Sequence, residues 1–366
     1  MDFEYNIHDL VGLIQQLEQT ETLKYDRDFK ALLSCEDPEL HQLLYATAHK
    51  VTLAHFGRHI YLRGLIEFSN YCKNNCYYCG LRAGNTELKR FRLTKEEIIK
   101  SCEYGYQKGA RTFVLQSGED PYFTDDTICD IITSIKTRFS DCAVTLSIGE
   151  KTKQSYQRYY DAGADRYLLR QESSHPEYYM QLHPKEMSCQ KRLQCLSDLK
   201  EIGYQVGAGF MIDSPYQTVQ DIIGEMKYIK SINPQMVGIG PFIANSRTPF
   251  KNFPDGSADL TLRVISMLRL MLPDAMIPAT TALGSISEDC RISAFFAGAN
   301  VIMPNISPET AKTEYRIYDG KTDTDIDTLK ADITEQGFEI VTDRGDHKEF
   351  QQQQTTSPIK HTEVME

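Results

Sequence analysis

Eight short β-rich runs, separated by helical patterns, restrict this chain to very few architectures. The runs are residues 65–69, 112–116, 143–147, 166–170, 205–211, 236–240, 276–279 and 300–303. Helical periodicity falls between them at 94–108, 125–138, 152–162, 189–202, 218–231, 260–271 and 287–297, the first opening on a Thr94/Glu97 capping box. Strict alternation of this kind is the pattern of parallel βαβ units, and eight repeats predict an α/β fold of the (β/α)8 (TIM) barrel type, not an open sheet. The dipeptide Gly-Ala recurs at Gly109, Gly163 and Gly298, each after a helix and before a strand, which marks helix C-caps and not phosphate loops.

The flanking chain divides around that barrel. Helical patterns at 7–20 and 38–56 predict an N-terminal helical cap over residues 1–60, ahead of a barrel spanning 61–321. A short C-terminal extension over 322–343 carries a helix at 325–335 and a strand at 338–341. Residues 344–366 are polar and Gln-rich, a composition that predicts a disordered tail. No apolar run approaches 18 residues, and the first 20 lack the basic start and apolar centre of a signal peptide, so a cytoplasmic protein with no membrane span is expected. A net charge of -11 argues against general nucleic-acid binding.

In a (β/α)8 barrel the chemistry lies at the C-terminal ends of the strands. After the first strand comes IEFSNYCKNNCYYCGLR, with Cys72, Cys76 and Cys79 in C-x3-C-x2-C spacing. A tetrahedral zinc site wants four protein ligands, or three that usually include His, and no His lies between Leu62 and His175. Three thiolates instead suit a cubane iron-sulfur cluster with one iron left free for another ligand. The other seven cysteines are scattered without ligand spacing and read as small core or surface thiols. The spacing, with Tyr78 directly before the third Cys, resembles the radical S-adenosylmethionine (SAM) signature, in which the open iron chelates the amino and carboxylate groups of the methionine moiety.

The remaining strand ends extend the likeness. LQSGEDPY, GADRYLLRQE, VGIGPFI, IPATTALG and GANVIMPN, together with the cysteine loop, resemble the HydE family of FeFe-hydrogenase maturases, in the biotin synthase-like branch of the radical SAM superfamily. The resemblance runs over roughly residues 65–321. It implies one 4Fe-4S cluster on the three cysteines, with SAM as the second cofactor. Tyr78 would lie beside the SAM, Ser117, Gly118 and Glu119 would receive the methionine amino group, Glu172 the ribose hydroxyls, and Arg192 the methionine carboxylate. It places Arg170, Thr280 and Thr281 in the barrel cavity as donors to an anionic or cyanide-bearing ligand, with Tyr318, Gln116, Met303 and Tyr315 near or closing the same mouth. Met303 and the tyrosines taken singly read as core and packing residues.

The implied activity is reductive SAM cleavage in H-cluster assembly, on a small iron complex carrying CO, cyanide and cysteine, with other hydrogenase maturases and an electron donor as partners. A biotin synthase-like or methylornithine synthase-like enzyme with an organic substrate is the alternative, and an apolar rather than anion-binding cavity would favour it. One departure bears on that choice. The family carries glycines where this chain has Asp213 and Tyr216, and side chains there are expected to crowd or reshape the adenosyl pocket.

Overall fold

The computed structural model describes residues 5–351. Its strands are β1 (His59–Leu62), β2 (Gly64–Ser69), β3 (Thr112–Ser117), β4 (Ala143–Ser147), β5 (Arg166–Leu168), β6 (Gln205–Ala208), β7 (Met211–Ile212), β8 (Met236–Val237), β9 (Gly240–Pro241), β10 (Pro278–Ala279), β11 (Val301–Ile302) and β12 (Glu339–Val341). The order β2-β3-β4-β5-β6-β8 forms one all-parallel sheet and β10-β11-β1 another. Parallel bridges at Met236/Met276 and Leu65/Asn305 join the two at both seams, so the sheet closes on itself as a (β/α)8 barrel. All eight expected runs hold strand, though the fifth and sixth are each broken in two.

Closure follows from composition. Each of β2 through β6 is buried along almost its whole length, because the inner face fills the barrel and the outer face meets helices. Leu65, Phe113, Leu115, Val144 and Leu146 show that double burial. The helices start on side-chain caps, among them Thr94, Thr124, Thr152, Ser188, Thr218 and Ser257. No helix among the described residues is long and apolar enough to cross a membrane.

Three helices precede the barrel, α1 (Ile7–Thr20), α2 (Asp26–Ser34) and α3 (Pro38–Phe56). Their apolar faces pack on the outer helices 219–232 and 258–271, so the expected cap lies on the barrel flank rather than across the mouth. The strand β1, absent from the expectation, begins at His59, so the barrel starts two residues earlier than expected.

The disordered tail is corrected for its first eight residues. β12 adds in parallel to β1, and the chain then crosses the N-terminal end of the barrel. There Asp346 pairs with the wholly buried Arg166 at 2.6 Å, Arg344 pairs with Asp165 at 2.7 Å, and Arg63 donates to the Gly345 carbonyl. The charged composition that read as disorder is a set of partners for barrel charges. The rest of the expected tail lies outside the described residues.

Candidate active site

The site grows out of the end of β2. Asn70, fully buried, bonds both the Lys89 and Glu314 carbonyls through its amide nitrogen, fixing the point where the cysteine loop leaves the sheet. Arg90 ties that loop together. Its guanidinium donates to the carbonyls of Asn70, Leu81 (2.8 Å), Arg82 (2.8 Å) and Asn85 (3.1 Å), bracketing the segment that holds all three cysteines. From the end of β3, Gly118 lies so close that a Cβ on it would stand 2.2 Å from the Tyr71 carbonyl and 2.7 Å from Cys72 Cβ. Only glycine fits there.

Cys72, Cys76 and Cys79 are partly exposed and free of disulfides. Burial pushes the three thiols up, helped at Cys72 by the charge of Glu119 and at Cys76 and Cys79 by neighbouring sulfurs, with Cys79 reaching about 12. As bare thiols they are therefore protonated and poorly nucleophilic, whereas a bound metal cluster deprotonates its thiols outright. Among the described residues no three His, Cys, Asp or Glu side chains, these cysteines included, are drawn together as a site for a single metal ion, so the case for a cluster rests on the donor set of the loop. Three neighbouring thiols without a fourth ligand fit a cluster with one open iron.

Beside the loop, Tyr78 is enclosed. Its hydroxyl lies 3.2 Å from His183 Nε2, while His183 Nδ1 lies 3.0 Å from the Tyr179 carbonyl. That carbonyl can only accept, so Nδ1 carries the proton and Tyr78 donates to Nε2. Burial and the nearby Arg192 lower the His183 pKa to about 3, which keeps the ring neutral. Tyr77 N–H to the Leu182 carbonyl (2.9 Å) fastens the same two segments together.

A cavity of about 280 Å3 opens from Tyr78 into the barrel. Gln116, Ser117, Arg170, Glu172, Arg192, Thr280 and Tyr318 line it with apolar groups from Leu168, Met211 and Phe242. Arg192 Nε bonds Glu150 at 2.7 Å and its Nη1 the Arg170 carbonyl at 3.0 Å. Glu172, 7% exposed, takes Met211 N–H at 3.2 Å and Arg170 Nη2 at 3.3 Å. Burial raises its pKa, opposed by the charges of Arg170 and Arg192. Two buried polar atoms in this wall, Arg170 Nε and Thr280 Oγ1, make no hydrogen bond; Arg170 Nε lies 3.2 Å from Glu172 Oε1 but is not aligned with it. Unpaired donors at a cavity wall are what a polar ligand satisfies.

Not every expected residue faces this space. Thr281 begins helix 281–286 and, with Met303 and Asn305, lines a separate small pocket, because the strand-to-helix turn points neighbouring side chains apart. Glu119 is turned from the cavity. Its carboxylate takes Glu150 N–H at 2.9 Å and Lys73 Nζ at 3.2 Å. Tyr315 is buried behind the wall, with Lys321 over its ring and the Lys321 ammonium on Glu67 at 2.7 Å. Asp213 and Tyr216 adopt left-handed φ of 57° and 65°, the conformation glycine favours, yet neither crowds the cavity. Asp213 reaches out to Ser257 N–H and Tyr216 is 58% exposed. Sequence reasoning missed Arg90, Glu150 and His183, which lie outside any cysteine or strand-end motif.

Residues 66–229 match the Radical SAM superfamily. Over 306 residues, 83% of this chain and 87% of the relative, the sequence is 44% identical to the [FeFe] hydrogenase maturase subunit HydE of Thermotoga maritima. The chain belongs to the HydE family. It is also 31% identical, over 79% of its length and 81% of the relative's, to 3-methylornithine synthase of Methanosarcina acetivorans. Among solved structures, methylornithine synthase (PylB) superposes with a TM-score of 0.80 at 27% identity, covering 90% of this chain and 97% of that one. The maturase HydG shares the fold at TM-score 0.78 and 21% identity, covering 92% and 76%. Family membership brings a 4Fe-4S cluster and SAM with it, and makes the chain a radical SAM enzyme.

Proposed function

We propose that this enzyme acts in FeFe-hydrogenase H-cluster assembly, holding a single 4Fe-4S cluster on Cys72, Cys76 and Cys79 and converting a small iron complex that carries CO, cyanide and cysteine. The observation that carries this reading is the cavity wall of Arg170 and Thr280, where buried Nε and Oγ1 make no hydrogen bond, set beside a cysteine loop that leaves one ligand position open. When bound, cluster and SAM together supply reductive cleavage of the sulfonium to methionine and a 5'-deoxyadenosyl species.

The chain's own residues bind and orient. Arg192, braced by Glu150, holds the methionine carboxylate, the Ser117-Gly118 turn receives its ammonium, and the Glu172 carboxylate suits two vicinal ribose hydroxyls. Tyr78, locked by His183, forms an apolar wall beside the SAM, and Tyr318 narrows the opening and limits water. Arg170 and Thr280 give an anionic or cyanide-bearing ligand charged and hydroxyl donors. Other hydrogenase maturases and an electron donor are the partners this role requires.

The apolar share of the wall and the likeness to 3-methylornithine synthase support a second reading, an organic amino-acid substrate. Anaerobic reduction of the reconstituted protein with each candidate separates them. Formation of 5'-deoxyadenosine stimulated by the iron complex and lost in Arg170→Ala is the expected result. Stimulation by an ornithine-type amino acid instead would reverse the assignment.

A further inference from the structure

Glu172 is held in an unusual backbone state. Its φ of 60° is left-handed, which a residue with a Cβ adopts only when its surroundings impose it. The turn that imposes it, residues 171–174, leaves the sheet after β5 with no glycine to ease it.

The source of the constraint lies on another element. Glu225, on helix 219–232, is wholly buried and aims its carboxylate at this turn. Oε1 accepts from Ser174 N–H at 2.5 Å and Ser174 Oγ at 2.8 Å, with Ser173 Oγ at 3.4 Å. Oε2 accepts from Gln171 Nε2 at 3.0 Å, and the same Gln171 amide takes Gly209 N–H at 2.8 Å through its oxygen. Residues on both sides of Glu172 are thereby fixed to one carboxylate, while Glu172 N–H bonds the Gly209 carbonyl at 3.2 Å. A buried carboxylate needs this many donors to be tolerated, and here all of them belong to the turn or to the side chain beside it.

We propose that Glu225 is a positioning residue: by holding Gln171, Ser173 and Ser174 it imposes the left-handed geometry that aims the Glu172 carboxylate into the cavity. The inference rests on Glu172 serving as the SAM ribose contact, and two readouts separate the two ideas.

The first readout is SAM affinity, measured by calorimetry on anaerobically reconstituted, unreduced protein, with cluster absorbance as the check on folding. Glu172→Gln should weaken binding at least tenfold and Glu225→Gln about three- to tenfold. The double variant should bind no more weakly than Glu172→Gln alone, because Glu225 acts through Glu172. Additive losses, or unchanged affinity in Glu225→Gln, would overturn the proposal. The second readout needs no SAM. Glu172→Gly removes the backbone strain and should raise Tm while Glu225 enforces the turn, and should raise it less in a Glu225→Gln background where the turn has relaxed. Equal gains in both backgrounds would overturn the positioning role. Unchanged SAM affinity in Glu172→Gln alone would instead remove the ribose assignment and leave positioning to be decided by the Tm pair.

Discussion

The two ends of the barrel are both rich in buried charge, and they treat it in opposite ways. At the base, Arg166, Asp346, Arg344 and Asp165 satisfy one another, with Thr112 and Gln205 completing the shell around Arg166 and Asp346. At the mouth, Arg170 Nε and Thr280 Oγ1 are buried without hydrogen bonds beside an open cavity, and three thiols face a loop with no fourth ligand. Polar density alone would not say which end works. Access does: Arg63 Nε and His347 Nδ1 at the base also make no hydrogen bond, but the Arg166–Asp346–Arg344–Asp165 network is finished by folding, whereas Arg170 and Thr280 line a cavity that a ligand can finish.

The strongest way to break this contrast is at the thiols. Cys72→Ser, Cys76→Ser or Cys79→Ser should abolish SAM cleavage while leaving thermal stability close to that of the unloaded parent. The parent should carry about four irons per chain, as befits a single cubane on three thiolates. About eight irons, or a cluster signal surviving in Cys76→Ser, would place a second cluster on thiols read here as bystanders.

At the base, Asp346→Ala strands Arg166 without its buried partner and should cost about 3–5 kcal/mol in chemical denaturation, with SAM affinity per folded molecule unchanged. Burial pushes the Asp346 carboxyl up, but Arg166 and Arg344 outweigh it and hold it at about 2. A depressed carboxylate stabilises above its unfolded pKa near 4. That contribution, about 2 kcal/mol, should therefore disappear as pH falls from 4 to 2, and the loss should be missing in Asp346→Asn.

Two smaller effects sharpen the contrast. Arg192→Leu removes a charge-assisted pair worth about 1.5–3 kcal/mol, so titration should show SAM bound tenfold to a hundredfold more weakly. Unchanged affinity would leave Arg192 as a partner of Glu150 only. Thr280→Val removes an unsatisfied buried hydroxyl, so Tm should hold or rise, by less than about 1 kcal/mol in stability terms. A fall of the size expected for Asp346→Ala would mean that the mouth, too, is a closed network.

The barrel was readable because each inner strand is a buried run bounded by a helix cap, a signal carried within a few residues. β1 was missed because four residues directly after a helix give too short a pattern. The tail misled for a different reason. Arg344 and Asp346 look like solvated charges until Arg166 and Asp165, some 180 positions earlier, are brought beside them. At the mouth, the cysteines, Arg170 and Glu172 sit in strand-end motifs, Arg192 lies on the helix Cys189–Ile202 and was reached only through the family resemblance, and the cavity gathers Arg170, Glu172 and Arg192. The expectations for Thr281 and Glu119 differ from the structure because chain position does not say which way a turn aims consecutive side chains. Arg90, Glu150, His183 and Glu225 carry no motif, since each acts by holding something distant in sequence.

The pairing of β12 with β1 sets an order of events in the making of the molecule. The first strand of the barrel emerges from the ribosome early, but the strand that flanks it is about 280 residues later, and the ion pairs that close the base come later still. Domains made from the N-terminus forward usually mature as they appear. This one cannot: until residues 339–346 have been made, Arg63 and Arg166 stand in an unsealed barrel, and the cysteine loop is carried on a half-finished support. Delivery of iron and sulfur therefore belongs after residues 339–346 have docked, when the base has been shut.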